Sequence, residues 1–156
     1  MDSNIVNISS DFKNFYTNLN GLRNKVNELQ VCAETYKPMV ICVTETHLKD
    51  ELDAEVQLVN YRIFRKDREG TTQCGGSAVY VHSSLSAYIH PDFNSNDSIA
   101  VVIELQTFPM IVACVYRSQA LTEPQNLNML KQLLKLQIPK YHEVFLAGDF
   151  NLPDVC

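Results

Sequence analysis

The sequence has no tryptophan, no C-x-x-C pair, no internal repeat and no low-complexity tract. No apolar run approaches the ~20 residues needed to cross a bilayer, so no membrane partner is expected. The first 20 residues lack the basic-then-apolar pattern of a secretory leader. The five cysteines, Cys32, Cys42, Cys74, Cys114 and Cys156, are odd in number and lack zinc spacing. Cys42 and Cys114 sit inside apolar runs, where a thiol packs as a small hydrophobe. These absences exclude a disulfide framework and point to a reducing compartment, nuclear or cytoplasmic. Positive charge is also short. The net charge of −5 argues against a polyanion binder working by bulk electrostatics. It leaves room for an enzyme that holds a divalent cation, because carboxylate ligands deepen the negative balance.

What is present is ordinary globular material, 46% apolar and 20% charged. A complete domain of this size buries roughly 70% of the surface its unfolded chain exposes. Residues 1–11 are polar and read as a flexible N-terminus; residues 12–156 read as one domain. A short strand is expected over 12–17. A helix is expected from Gly21 to Tyr36, with Leu22, Val26, Leu29 and Ala33 on one face and Pro38 blocking continuation. MVICVT (39–44) is continuously apolar and β-branched, the pattern of a buried strand. YRIFR (61–65), GSAVYVH (76–82), IAVVIEL (99–105) and MIVACVY (110–116) follow, the last two as a hairpin around Pro109. A second helix is expected over 123–138, with Leu127, Leu130, Leu134 and Ile138 inward and Pro139 ending it; EVFLAG (143–148) is the last strand. This order is not regular βαβα alternation. It predicts an α/β fold with mixed, largely antiparallel sheets.

Polar residues fall just past the apolar runs. Asn18 and Asn20 follow FYT, Glu45 follows MVICVT, Tyr116 and Arg117 close MIVACV, and Asp149 and Asn151 close EVFLAG. Strand ends are rigid platforms that gather distant side chains. Carboxylates and carboxamides are hard oxygen donors suited to Mg2+. Such a site suits phosphate-ester chemistry, where the metal polarises phosphoryl oxygens. Each residue alone also fits a plainer reading, since loops begin where strands end. Arg65, Lys66 and Arg68 form a basic cluster that either touches a phosphate backbone or pairs with Asp67 and Glu69. Gly75-Gly76 either cradles a phosphate or makes a tight turn into a strand. His47 is either a partner of Glu45 or a surface residue. Cys74 with His82 lacks a second metal pair, and Tyr80 and Tyr88 read as packing residues.

Taken in order, "YTNLNGLRNKVNEL", "VICVTETHL", "YRIFRKDREGTTQCGGSAVYV", "VACVYR" and "LAGDFN" resemble the endonuclease/exonuclease/phosphatase superfamily. More narrowly, they resemble the apurinic-type endonuclease domain of non-LTR retrotransposons. The resemblance runs from about Phe12 to Pro153. It implies a four-layer α/β/β/α sandwich of the deoxyribonuclease I type with the active site at one edge. It further implies Mg2+ or Mn2+ as cofactor and DNA as partner, with a reverse transcriptase domain in a longer reading frame. Strand nicking would leave a 3′ hydroxyl that primes reverse transcription. By the same resemblance, Asn18 lies near metal and phosphate and Glu45 is a metal ligand. Tyr116 contacts the scissile phosphate, Asp149 orients or deprotonates the attacking water, and Asn151 binds phosphate and positions Asp149. Arg65, Lys66, Arg68 and Asn20 face the DNA.

The sequence departs from the pattern in two places. Arg-Ser-Gln follows Tyr116 where these enzymes often carry a proline-containing stretch. No histidine follows Asp149, and the motifs of the second half of such domains are absent, so the fold is expected to be incomplete at the C-terminus. The chain therefore reads as a fragment, inactive by itself, with an exposed apolar edge on its last strand. Two alternatives stay open: a phosphoesterase of the same fold acting on inositol phosphates or lipids, and a non-catalytic domain remnant.

Overall fold

The computed structural model describes residues 12–70, 74–136 and 143–151. The expectations for residues 1–11, for Ile138 and Pro139, and for Cys156 lie outside the described residues. The strands are β1 (Asn14–Asn18), β2 (Val40–Thr44), β3 (Tyr61–Lys66), β4 (Ser77–His82), β5 (Ser86–Ile89), β6 (Ile99–Glu104), β7 (Met110–Tyr116) and β8 (Glu143–Asp149). The helices are α1 (Val26–Tyr36) and α2 (Glu123–Leu136). Single 3-10 turns occur at Arg23–Lys25 and Asp53–Val56. Helix α1 ends where Lys37 turns left-handed (φ 48°) and its N–H bonds the Ala33 carbonyl at 2.9 Å, one residue before Pro38.

The strands form two four-stranded sheets, ordered β1-β2-β4-β3 and β5-β6-β7-β8. Each contains one parallel pair, β1 with β2 and β7 with β8, and two antiparallel pairs. Alternate residues of each central strand point to opposite faces. Val40, Cys42, Val79 and Val81 of the first sheet meet Val101, Ile103, Val112 and Cys114 of the second in one buried core. Their neighbours Ile41, Val43 and Tyr80 face Leu22, Leu29 and Ala33 of the α1 region. Ala100, Val102, Ile111, Ala113 and Val115 face Met129, Leu133 and Leu136 of α2. The result is the four-layer α/β/β/α sandwich. Strands covered on both faces need apolar residues at every position, which is why VICVT and MIVACV lack alternation.

Three expectations need correction. Helix α2 turns Met129, Leu133 and Leu136 inward, while Leu127, Leu130 and Leu134 stand 51%, 53% and 59% exposed. Both sets repeat at helical spacing, so periodicity fits either face, and packing on β6 and β7 decides between them. Strand β5 was not expected at all: its SAYI sequence is short and mostly exposed. Tyr88 on β5 is exposed rather than packed, because the cluster under α2 draws on β6, β7 and β8 and not on β5. Among the described residues β8 pairs only with β7, and Leu146 on it is 38% exposed.

Candidate active site

Strand register gathers the polar residues at one end of the sandwich. In the first sheet Asn18 pairs with Thr44, Thr44 with Ser77, and Ser77 with Lys66. In the second sheet Tyr116 pairs with Asp149. The two rows meet at Asn18. Its Nδ2 donates to Glu45 Oε1 at 3.0 Å and to Asp149 Oδ2 at 3.3 Å, so one carboxamide joins carboxylates from both sheets. The Asn18 oxygen accepts the Asn20 backbone N–H at 3.1 Å, which fixes which way the amide faces.

The loops that present these groups are held in unusual backbone conformations. Asn20 (φ 47°), Glu45 (55°), His47 (55°) and Asn151 (40°) are left-handed. Asparagine tolerates that region; glutamate rarely adopts it, and its surroundings must enforce it. They do so through backbone bonds: Gly21 N–H to Glu45 O at 2.8 Å, Leu22 N–H to Thr46 O at 2.9 Å, and His47 N–H to Gly75 O at 2.9 Å. His47 Nε2 lies 3.7 Å from Glu45 Oε2. Asp149 is held just as closely. Its Oδ1 accepts the Asn151 N–H at 3.1 Å and its carbonyl accepts the Arg117 N–H at 2.8 Å. Asn151 Nδ2 and Arg117 Nη1 then donate to each other's carbonyl oxygens at 2.8 and 2.6 Å.

Tyr116 belongs to the same group. Burial pushes its phenol up to about 12, and the Glu45 carboxylate pushes the same way against Arg68. Tyr16 on β1 also lies within the field of the site. Its pKa is raised, chiefly by burial, with Asp149 and Glu45 adding and a 3.0 Å bond to Thr44 Oγ1 opposing.

Of the two readings of the basic cluster, the paired one describes Arg65 with Asp67 and Lys66 with Glu69, while Arg68 pairs with Asp97 instead. Arg65 is bound by Asp67 at 3.0 Å and Asp53 at 3.2 Å, Lys66 by Glu69 at 3.1 Å, and Arg68 by Asp97 at 2.8 and 2.9 Å. Gly75 and Gly76 are required by close approach. A Cβ on Gly75 would lie 2.6 Å from the Arg68 guanidinium carbon, and one on Gly76 would lie 2.7 Å from Thr46 Oγ1. Sequence reasoning missed Tyr16, Asp97 and Ser98. Asp97 and Ser98 lie in SNDS, which reads as a polar turn, yet they are 1% and 2% exposed.

The donor set fits a hard divalent cation. Glu45 and Asp149 contribute carboxylate oxygens that already converge on one amide. Among the described residues no group of three or more histidine, cysteine, aspartate or glutamate side chains could hold a metal. A cation here would keep much of its water, as Mg2+ does, unlike a closed zinc site.

The fold is shared with known proteins. The endonuclease domain of TRAS1, a telomere-specific non-LTR retrotransposon, superposes with a TM-score of 0.66 at 18% identity, over 86% of this chain and 58% of that one. The AP endonuclease LMAP from Leishmania major gives 0.69 at 18% identity, over 88% and 54%. An RNA-directed DNA polymerase from the mobile element jockey of Drosophila funebris is 30% identical over 98 residues, which is 62% of this chain and 10% of that protein. This chain thus spans little more than half of the two solved relatives and a small part of the polymerase. The sequence pattern that defines the Endonuclease/Exonuclease/phosphatase family matches residues 7–154, and with it the chain belongs to that family.

Proposed function

We propose that this edge is the metal-dependent site of a DNA endonuclease that nicks its target to prime reverse transcription. One observation carries the reading: the Asn18 carboxamide spans Glu45 and Asp149 across the two sheets. Two carboxylates brought to one point repel each other, and a divalent cation relieves that repulsion. Glu45 and Asp149 would hold Mg2+ or Mn2+, which polarises a phosphoryl oxygen and steadies the leaving oxygen when bound. Asn18 keeps the carboxylates in register without adding negative charge beside a phosphate. Tyr116 stays protonated at neutral pH and donates a hydrogen bond to a phosphate oxygen. Asp149 orients the attacking water and accepts its proton, and Asn151 locks the Asp149 turn. Asn20 and Lys66 face the DNA backbone. Arg65 and Arg68, clasped by carboxylates, shape the loop beneath it.

The family supports a hydrolytic nuclease or phosphatase, and the jockey relative supports association with a reverse transcriptase. The 156 residues by themselves bind the cation without turnover. Titrating Mn2+ into the chain, Glu45→Gln and Asp149→Asn tests the reading. Each variant is expected to bind about tenfold more weakly or worse; equal affinity in all three overturns it. Supercoiled plasmid with Mg2+ is expected to stay intact, and nicking that Asp149→Ala abolishes would establish an active chain instead.

A further inference from the structure

Asp97 is a buried carboxylate that touches neither Glu45 nor Asp149. It accepts both Arg68 Nε and Nη2, at 2.8 and 2.9 Å, and the Gly76 N–H at 3.1 Å. The Ser77 hydroxyl donates to its carbonyl oxygen. From this point two arms reach the site. One runs through the glycine pair: the Gly76 and Gly75 carbonyls accept the Thr46 and His47 N–H groups at 3.4 and 2.9 Å, holding the loop that contains left-handed Glu45. The other runs to Tyr116. Ser98 Oγ accepts the Tyr116 N–H at 3.0 Å, and the Arg68 guanidinium lies 5.9 Å from the centre of its ring.

The geometry points to Asp97, with Arg68 and Ser98, as a positioning tie that sets Tyr116 and the Glu45–His47 loop for phosphate-ester chemistry. This rests on the function proposed above. A buried ion pair is a poor device for stability alone, since an apolar pair of similar volume often serves as well. What the pair supplies is direction. A bidentate guanidinium has a fixed plane, and here the group sits 5.9 Å from the centre of the Tyr116 ring and close against Gly75. Lysine keeps the charge but not the fork. The glycines fit the same account, because a Cβ at either position would strike Arg68 or Thr46.

The test uses the 156-residue chain with two variants chosen to fold. Arg68→Lys keeps the charge pair, and the double variant Arg68→Met with Asp97→Leu replaces it by apolar packing. Amide hydrogen exchange is followed residue by residue, with Mn2+ affinity alongside. The tie predicts that exchange at His47 and Tyr116 speeds about tenfold or more in both variants, while Val43 and Val79 in the core keep their protection. It also predicts that Mn2+ binding weakens by roughly tenfold, as when a group orienting a metal-binding side chain is lost. Unchanged exchange at His47 and Tyr116, or its full restoration by the apolar pair, overturns the tie. So does loosened exchange with unchanged Mn2+ affinity where Glu45→Gln abolishes binding. If the parent chain binds no Mn2+, the proposed function fails instead, and the exchange arm alone decides the tie.

Discussion

A Cβ on Gly148 would lie 1.8 Å from the Val115 carbonyl oxygen, so the glycine of GDFN lets β8 press against β7 one residue before Asp149. Gly148→Ala must push the strands apart where the carboxylate is aimed. The expected cost is about 2 kcal/mol or more, in the upper range for overpacked sites, and urea denaturation measures it. A cost under about 0.5 kcal/mol, the usual range for a surface change, would show that the strands part freely. Single residues were legible in the sequence where chemistry and strand ends coincide: Asn18, Glu45, Tyr116 and Asp149 each follow or close an apolar run. Asp97 and Ser98 were not, because their meaning comes from partners far along the chain. Asp97 is paired with Arg68, and Ser98 receives the Tyr116 N–H, and no local pattern announces either bond. Within the basic cluster the pairing of Arg65 with Asp67 and of Lys66 with Glu69 was legible, because those partners are near in sequence, whereas the Asp97 that holds Arg68 lies 29 residues on.

Elements were legible when burial acted on both faces and ambiguous when it acted on one. The central strands had to be apolar throughout, and their runs match the observed strands to within a residue or so. Strand β5 has few inward residues and left almost no signal. Helix α2 carries two apolar stripes, and sequence spacing gives no means of choosing between them. The structure does choose, and mutation can check it. Leu133→Ala, under the helix, is expected to cost about 2–5 kcal/mol by opening a cavity against β6 and β7. Leu130→Gln, on the outer stripe, is expected to stay within about 0.5 kcal/mol. Thermal or urea unfolding of the two variants settles which stripe is inside, and reversed costs would restore the face read from the sequence.

At the scale of the whole molecule, the sandwich buries Tyr61 and Tyr80 and half-buries Tyr116, while Tyr16 stays 37% exposed, and this sets its response to alkali. Tyr16, Tyr61, Tyr80 and Tyr116 all have phenols raised above their ordinary 10.0, with burial the leading cause in each. The Cys114 thiol, buried between the sheets, is likewise held above its ordinary 9.0. The folded state therefore keeps protons that the unfolded chain gives up. Unfolding releases them, so stability is full below the unfolded values and falls as pH rises through them. The loss should begin near pH 9 with the thiol and deepen from pH 10 toward 12, where Tyr116 titrates in the fold. Net charge adds a second alkaline penalty, because the chain is already at −5 near neutrality and self-repulsion grows as protons leave. Salt separates the two effects. Screening at about 1 M ionic strength, where the Debye length is roughly 3 Å, suppresses repulsion between surface charges but not the cost of ionising a buried phenol. Urea midpoints are expected to fall steadily from about pH 9 toward pH 12 and to keep most of that fall in high salt. A midpoint that is flat with pH, or a fall that salt abolishes, would mean that the buried phenols and thiol do not govern the stability of the sandwich in alkali.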